Sequence, residues 1–284
     1  MDRVETKKSD AMIRMEELRK KAEKGLKMEI WGGIGILILP VGIALLYAGS
    51  RMREKANSEL DELYREVYVH EPLAARFENV SFEQLEGFSE EKVGDFRICR
   101  EGNEFDSEAY GKGSYGDVQV EVSDVTISDY DRVATRNNLK TIFKGRMLQL
   151  EFPEEIASSE TIYSKTFTAG IPDGEKEEQK EMNTMGAEYG ELFDLYVSDP
   201  GETKERISLS LLDRLKSVST RHRGVAMRVY GNKLILAMDD GGGDAFYRKK
   251  AKEVSLEKEL MKVHEDLEDV KAMISLIENR TRKK

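Results

Sequence analysis

The stretch VAMRVYGNKLILAM, residues 225–238, predicts two short strands joined by a two-residue turn. Its two arms, 225–230 and 233–238, are apolar and rich in strand-forming residues. Gly231 and Asn232 between them tolerate the positive φ that a tight hairpin turn requires. Because such a turn joins antiparallel strands, we predict a mostly antiparallel sheet at the centre of the fold.

The alternation of apolar and polar residues extends this sheet toward the N-terminus. From Phe96 onward the period changes from helical to two, most clearly over 118–122 and 148–152. Shorter strands are predicted around 162–167 and over 192–198. A helix is predicted over 202–219, with four apolar residues on one face: Ile207, Leu211, Leu212 and Leu215.

A long helix is predicted at the C-terminus, because apolar residues recur there at steps of four and three. These residues are Leu256, Leu260, Val263, Leu267, Val270, Ile274 and Ile277. Such a heptad seam needs a partner surface. Two alternatives stay open: a self-associating coiled coil, and docking onto the sheet or onto the helix predicted over 56–67.

The apolar run IWGGIGILILPVGIALLYAG, residues 30–49, predicts a transmembrane helix. Twenty residues without a charge span about 30 Å as a helix, which is the hydrocarbon thickness of a bilayer. Trp31 and Tyr47 stand near its ends, where aromatic rings favour the headgroup layer. Pro40 divides the run, so the alternatives are a single crossing and a re-entrant hairpin.

The flanks of this run are both basic. Residues 1–29 predict an amphipathic helix whose lysine-rich end would lie against anionic headgroups; the lysines are Lys20, Lys21, Lys24 and Lys27. Nine Lys or Arg precede the run and four lie in the sixteen residues after it. A single crossing would then leave the N-terminus in the cytoplasm and the main domain outside, whereas a re-entrant insertion would keep both in the cytoplasm.

Composition excludes several function classes. The net charge of −10 argues against nucleic-acid binding, which needs clustered Lys and Arg. A single cysteine permits no intrachain disulfide, and the three histidines are far apart in sequence. We therefore expect no metal site and no cofactor.

The sequence offers two motifs that could bind a phosphate or another anion. Residues 111–118 spell the glycine-rich loop of protein kinases, but no catalytic H-R-D or D-F-G follows, so a turn between strands is the better interpretation. Arg221, His222 and Arg223 follow the helix predicted over 202–219. Cations at the C-terminus of a helix are explained by its macrodipole.

The other candidates are six carboxylates and one thiol: Asp239, Asp240 and Asp244, then Asp124, Asp129 and Asp131, and Cys99. The first three lack the spacing of a calcium loop, and the second three are interpreted as solvated loop carboxylates. The cysteine is interpreted as a small core residue rather than a nucleophile. No catalytic residue is predicted.

Three stretches carry a resemblance to a known family. They are 141–145 (TIFKG), 191–199 (ELFDLYVSD) and 211–215 (LLDRL). Over most of 60–250 the chain resembles a bacterial family catalogued only as a domain of unknown function. The resemblance implies a membrane hairpin of two segments, a cytoplasmic domain and genes near those of LemA-type membrane proteins, and it supplies no catalytic residues. This chain differs in having one apolar run.

These patterns divide the chain into five segments. They are an amphipathic helix over 1–29, a transmembrane segment over 30–49, a helical stalk over 50–91, an α+β domain over 92–250 and a C-terminal helix over 251–284. The fold class expected is α+β: a mostly antiparallel sheet with packed helices, one N-terminal transmembrane helix and a long C-terminal heptad helix.

The function expected is that of a membrane-tethered protein-interaction module in the cell membrane, and not that of an enzyme. Its partners would be the membrane itself and other proteins, or second copies bound through the stalk and C-terminal helices. The alternative is an enzyme acting on a membrane or envelope substrate. A deep pocket holding several ionisable groups would favour that alternative.

Overall fold

The computed structural model divides the chain into two compact units, Met1–Glu71 with Lys250–Leu260, and Pro72–Lys249 with Met261–Lys284. It describes residues 2–34, 39–83, 85–131, 138–156, 160–170, 180–181, 187–197, 208–240 and 256–281.

The first unit contains a helical hairpin formed by α1 (Asp2–Ile34) and α2 (Leu39–Arg65), and a π-helical segment, Glu66–His70, continues α2. The two helices are antiparallel. Arg14 near the start of α1 lies 3.4 Å from Glu59 near the end of α2, whereas Glu29 and Arg53 pair at 2.9 Å closer to the turn. We call α1 and α2 the hairpin, and residues 30–49 its closed end.

Small residues hold the two helices of the hairpin together. A Cβ atom built on Gly49 would lie 2.7 Å from the carbonyl oxygen of Gly25, and one on Gly25 would lie 2.8 Å from that of Gly49. Met15, Leu18 and Ala56 are buried along the same interface. The backbones therefore touch at the glycines, as they do where small residues line a helix pair.

The prediction of one uninterrupted helix over 30–49 is wrong. In the structure α1 ends at Ile34 and α2 begins at Leu39, and residues 35–38 lie outside the described residues. Pro40 occupies the first turn of α2, where its missing N–H breaks no helical hydrogen bond. Among the described residues, no helix combines the length and apolarity that a bilayer crossing requires.

We expect Gly49→Val to destabilise the hairpin by about 1 to 3 kcal/mol, because the added side chain must push the α1 backbone away. Loss of helical circular dichroism on heating measures the effect. Ala48→Val is the matched control, since Ala48 is exposed on the same helix. Equal melting temperatures for the two variants would contradict the close approach of the helices.

The second unit contains a sheet of nine strands within the described residues, in the order β1-β2-β3-β4-β9-β8-β5-β7-β6. The strands are β1 (Glu78–Glu83), β2 (Glu104–Tyr115), β3 (Val118–Asp131), β4 (Asn138–Glu151), β5 (Glu160–Ser164), β6 (Lys180–Glu181), β7 (Phe193–Val197), β8 (Gly224–Tyr230) and β9 (Lys233–Asp239). Every neighbouring pair is antiparallel. The predicted α+β class with an antiparallel sheet is confirmed, and Gly231 has the φ of +53° expected in the β8–β9 turn.

The helices that accompany the sheet vary widely in length. They are α3 (Glu71–Ala74), α4 (Glu90–Phe96), α5 (Ala187–Gly190), α6 (Leu209–Ser219) and α7 (Leu256–Thr281). The N-cap Ser89 accepts a hydrogen bond from the Lys92 N–H at the start of α4, and Ser208 accepts one from Leu211 at the start of α6. The helix predicted over 202–219 is thus seen from Leu209, because 201–207 lie outside the described residues.

The predicted C-terminal seam lies on α7 and is buried within the single chain. Its buried members are Leu260, Val263, Leu267, Val270, Ile274 and Ile277. A coiled coil made by this seam stays a prediction.

The core occupies both faces of the sheet. On one face, aromatic residues at and around α4, among them Phe88 and Phe96, pack with Phe143, Ala226 and Ala237. The alternate residues of β8 and β9 are buried as well. Because both faces of these strands are buried, their sequences are apolar at nearly every position instead of alternating with polar residues.

Candidate functional site

The glycine-rich motif 111–118 forms the β2–β3 hairpin. Gly111 and Gly113 lie in β2, and the turn is made by Gly116, with a φ of +58°, and Asp117. A Cβ on Gly113 would come within 3.0 Å of the Val80 side chain on β1. The interpretation of the motif as a turn between strands is confirmed. Gly113 stands in the strand because a larger side chain there would press against Val80.

The interpretation of Asp124, Asp129 and Asp131 as loop carboxylates is wrong, because all three belong to strand β3. Asp124 is almost buried and accepts a hydrogen bond from Arg146 Nε at 3.1 Å across the β3–β4 pair. Burial raises the pKa of Asp124 to about 6, although Arg146 opposes the shift. Asp129 pairs with Arg100 at 3.0 Å.

Cys99 is part of the hydrophobic core beside α4. Burial raises the pKa of its thiol to about 12, and the carboxylates of Asp239 and Glu101 add to the shift. The residue is thus a protonated thiol at neutral pH, whereas a nucleophilic cysteine needs a thiolate. The interpretation as a small core residue is confirmed.

Arg221 and His222 follow α6 and bind acidic residues of α7. Arg221 donates from Nε to Asp266 at 2.7 Å and from a terminal nitrogen to Asp269 at 2.7 Å. The two ring nitrogens of His222 lie 3.0 Å from Asp240 Oδ1 and 2.9 Å from Asp266 Oδ2. The macrodipole is therefore an incomplete explanation of these cations, because their partners come from a different helix and from the end of β9.

Two further cations complete this network. Arg214 of α6 donates to Asp269 at 3.2 Å, and Lys262 of α7 donates to Asp240 at 2.5 Å. We call the set the charge cluster; it comprises Arg214, Arg221, His222, Asp240, Lys262, Asp266 and Asp269. Of the other residues considered with it, Arg223 is exposed, Asp239 ends β9 and Asp244 lies outside the described residues.

His222 is protonated in this arrangement. Its side chain is 3% exposed, and both nitrogens face carboxylates that can only accept a hydrogen bond when ionised. Burial lowers its pKa, but the hydrogen bonds to Asp240 and Asp266 outweigh burial and raise the pKa above the usual value. In return the imidazolium and Lys262 lower the pKa of Asp240 to about 2 against the effect of burial.

The charge cluster positions α7 on the second unit. Both ring nitrogens of His222 are engaged by carboxylates, Nδ1 by Asp240 and Nε2 by Asp266. The ion pairs join α7 to the end of α6, to the turn that follows it and to the end of β9. Buried ion pairs give little net stability but need exact partners, so we expect the cluster to fix the position of α7 from Lys262 onward within the second unit.

The raised pKa of His222 gives stability a defined pH dependence. A group whose folded pKa is raised stabilises the fold fully below its unfolded pKa, about 6.5 for histidine, and loses this contribution as pH rises through the folded pKa. We expect the free energy of unfolding to fall as pH rises above about 6.5. Urea unfolding at a series of pH values measures this slope.

The control for this slope is a comparison of two histidine variants. His222→Gln should flatten the pH dependence, and His70→Gln, which removes a partly exposed histidine of the first unit beside Glu66, is the comparison. Asp240 does not titrate in this range, since its contribution is lost only toward a pKa of about 2. If the free energy of unfolding fell with pH equally steeply in wild type and in His222→Gln, His222 would not be the group responsible.

A second polar cluster surrounds Glu121 on β3. Its carboxylate accepts hydrogen bonds from Lys92 of α4 at 2.5 Å, from the Tyr110 hydroxyl at 2.5 Å and from Gln149 at 2.9 Å. Burial and the bond to Glu121 raise the pKa of Tyr110. The tyrosine thus stays a neutral donor, and this cluster holds α4 on the sheet.

The closed end of the hairpin differs from both clusters, because large apolar side chains face solvent there. Trp31 is 67% exposed, Tyr47 62% and Ile30 55%. Arg51 lies 5.3 Å from the centre of the Tyr47 ring. These side chains border the charge-free stretch of the sequence, and together with Ile13 at 57% they are the most exposed large apolar side chains described on the hairpin.

Metal binding receives no support from the described residues, since no three His, Cys, Asp or Glu side chains within them converge on one point.

The acidic partners of Arg221 and His222 were not predicted from the sequence. One signal was present: Asp266 and Asp269 are three residues apart, which places them on one side of a helix next to the apolar seam.

Residues 141–280 match the model of a family described as a protein of unknown function (DUF3137). The range runs from β4 to α7 and contains the charge cluster. A comparison with curated proteins and another with solved structures gave no match. The resemblance to a domain of unknown function is thus confirmed for this range, and the membrane hairpin, bacterial source and LemA neighbourhood that it implies stay expectations.

Proposed function

We propose that the chain is a membrane-tethered interaction module whose hairpin enters one leaflet of a bilayer through its closed end. The α+β unit would then be held at the membrane surface, where it binds other proteins. The observation that carries this proposal is the exposure of Trp31 and Tyr47 on either side of a stretch without charge.

Exposed apolar surface of this kind favours transfer out of water. Burying it gains about 25 cal/mol per Å² of apolar area, and contiguous patches of large apolar side chains are uncommon on soluble proteins. The described backbone on both sides of 35–38 is helical, so its N–H and C=O groups are bonded internally, as hydrocarbon requires, except in the last turn of α1 and the first turn of α2. The arms of the hairpin thus combine exposed apolar side chains with a helical backbone, and both properties favour insertion.

The length of the closed end suits one leaflet. From Tyr47 back to the start of α2 at Leu39 is eight residues, which is about 12 Å of helix. Half of a hydrocarbon core is about 15 Å thick. Tyr47 and Trp31 would then lie at the headgroup level that aromatic side chains prefer.

Insertion of a hairpin also determines the side of the membrane. Because α1 and α2 are antiparallel, both basic flanks of the apolar run return to one face of the bilayer. The positive-inside rule places Lys-rich and Arg-rich flanks in the cytoplasm. We therefore propose a cytoplasmic location for the α+β unit at the cell membrane.

Trp31 provides a direct test of insertion, because it is the only tryptophan in the chain. Adding phospholipid vesicles should shift its emission to shorter wavelength, and the protein should sediment with the vesicles. Trp31→Phe should remove the emission and keep the sedimentation. Unchanged emission from protein that stays in the supernatant would overturn the proposal.

Binding of proteins, rather than catalysis, is proposed for the α+β unit because its prominent ionisable groups bond to one another. His222 is engaged by two carboxylates, burial raises the pKa of the Cys99 thiol to about 12, and Tyr110 donates to Glu121. Met261, 55% exposed on α7, offers apolar surface on which a second copy could pack.

Light scattering of the detergent-solubilised chain tests self-association. We expect at least two chains per particle, and Met261→Glu should lower the measured mass toward that of one chain. A monodisperse monomer for wild type would discard self-association through α7.

A further inference from the structure

We infer that the hairpin selects membranes rich in anionic phospholipids, through a basic collar just below its closed end. The basic collar comprises Lys20, Lys21, Lys24, Lys27, Arg51, Arg53 and Lys55. The inference rests on the proposed function and adds the chemical class of lipid that the hairpin recognises.

The fold brings two basic stretches, 20–27 and 51–55, to one level of the hairpin. Gly25 touches Gly49 and the backbone of Arg53, and Glu29 pairs with Arg53. In a single crossing these stretches would face opposite leaflets. In the hairpin they surround the same end, so their charges add at one membrane surface.

The collar residues nearest the apolar run lie at the height of the headgroup layer. Lys27 precedes Ile30 by three residues, about 4.5 Å along the helix, and Arg51 follows Gly49 by two residues, about 3 Å. A headgroup layer is about 5 to 7 Å thick. Lys24, Lys27 and Arg51 are exposed, and the contact of Arg51 with the Tyr47 ring directs its guanidinium toward the closed end.

The charge of the collar is opposite to that of the whole chain. Residues 20–29 and 50–55 hold seven Lys or Arg against three Glu, whereas the chain as a whole carries −10. An anionic surface therefore attracts the collar and repels the remainder of the protein. Competing pairs such as Lys27 with Glu23, 3.1 Å apart and exposed, are weak in water.

Binding to two kinds of vesicle tests the inference with the full chain. One kind is phosphatidylcholine alone, and the other contains phosphatidylglycerol as well. The collar variant is the triple substitution Lys24→Gln, Lys27→Gln and Arg51→Gln. The matched control removes three exposed lysines of the second unit, by Lys112→Gln, Lys140→Gln and Lys165→Gln.

Each basic residue near an anionic surface contributes about 1 kcal/mol, so the collar variant should bind anionic vesicles about a hundredfold more weakly than wild type. The control variant should lose much less affinity than the collar variant, because its three lysines do not belong to the basic collar. On phosphatidylcholine alone, wild type and both variants should bind equally. Added salt should weaken wild-type binding to anionic vesicles and leave binding to neutral vesicles unchanged.

The outcomes separate the inference from the proposed function. Equal wild-type binding to both vesicles, or equal losses in the collar and control variants, would overturn the inference and leave insertion standing. Absence of wild-type binding to both vesicles would overturn insertion, and the inference with it.

Discussion

Asp266→Asn is expected to lower the free energy of unfolding of the second unit by about 3 to 5 kcal/mol, the cost of breaking a buried ion pair. Asp266 accepts hydrogen bonds from Arg221 and His222, and it is itself buried. The amide would leave the buried His222 and the partly buried Arg221 with too few acceptors, and it would point N–H groups at one of them. Urea unfolding followed by circular dichroism measures the loss.

Glu265→Gln is the matched control for this variant. Glu265 neighbours Asp266 on α7, but it is 54% exposed and lies 3.8 Å from Arg221, so its loss should cost less than about 1 kcal/mol. A double-mutant cycle between Asp266→Asn and Arg221→Gln should show strong coupling, since each change removes the other's partner. Additive effects would show that the charge cluster does not act as a unit.

Leu45→Asp is expected to reduce partitioning of the chain into phospholipid vesicles by up to about a hundredfold. A carboxylate in the hydrocarbon costs about 3 kcal/mol, and each 1.4 kcal/mol is about tenfold in affinity. Leu45 belongs to the charge-free run of residues 30–49. Co-sedimentation over a range of lipid concentrations measures the change.

The same substitution outside the hairpin provides the comparison. Leu85 is 83% exposed and belongs to the second unit, so Leu85→Asp should leave vesicle binding unaltered. If both variants bound as tightly as wild type, an apolar contact between the hairpin and the bilayer would have to be abandoned.

The parts of the fold that depend on local sequence could be predicted. The β8–β9 hairpin could be predicted because Gly231 and Asn232 favour a two-residue turn and the apolar runs beside them favour strands. Strand β1 was missed because only two apolar residues of Glu78–Glu83, Val80 and Phe82, alternate with polar residues, and both are only partly buried at the edge of the sheet. An alternation of two apolar residues is too short to identify a strand from sequence.

The burial of Asp124 could have been predicted from its register. Val118, Val120 and Val122 are buried on one face of β3, and a period of two places Asp124 on that same face. Its partner Arg146 could not be named, because pairing between β3 and β4 depends on the whole sheet. The charge cluster was missed for a similar reason, since forty-five residues separate Arg221 from Asp266.

The apolar run at 30–49 shows the limit of hydropathy. Hydropathy averages composition along the chain and carries no information on where the chain reverses direction. The antiparallel contact of α1 and α2 depends on Gly25 and Gly49, which let the two backbones touch. Gly25 lies outside the apolar run, so the run by itself could not identify the partner of Gly49.

The central claim is that the chain enters and leaves the membrane on the same side. Thiol labelling in sealed membrane vesicles tests it with Asp10→Cys on α1 and Leu85→Cys in the second unit, both at exposed positions. Cys99 contributes no background, since burial raises its pKa to about 12. We expect a membrane-impermeant maleimide to label both positions from one side and neither from the other, whereas labelling of the two positions from opposite sides would contradict the account.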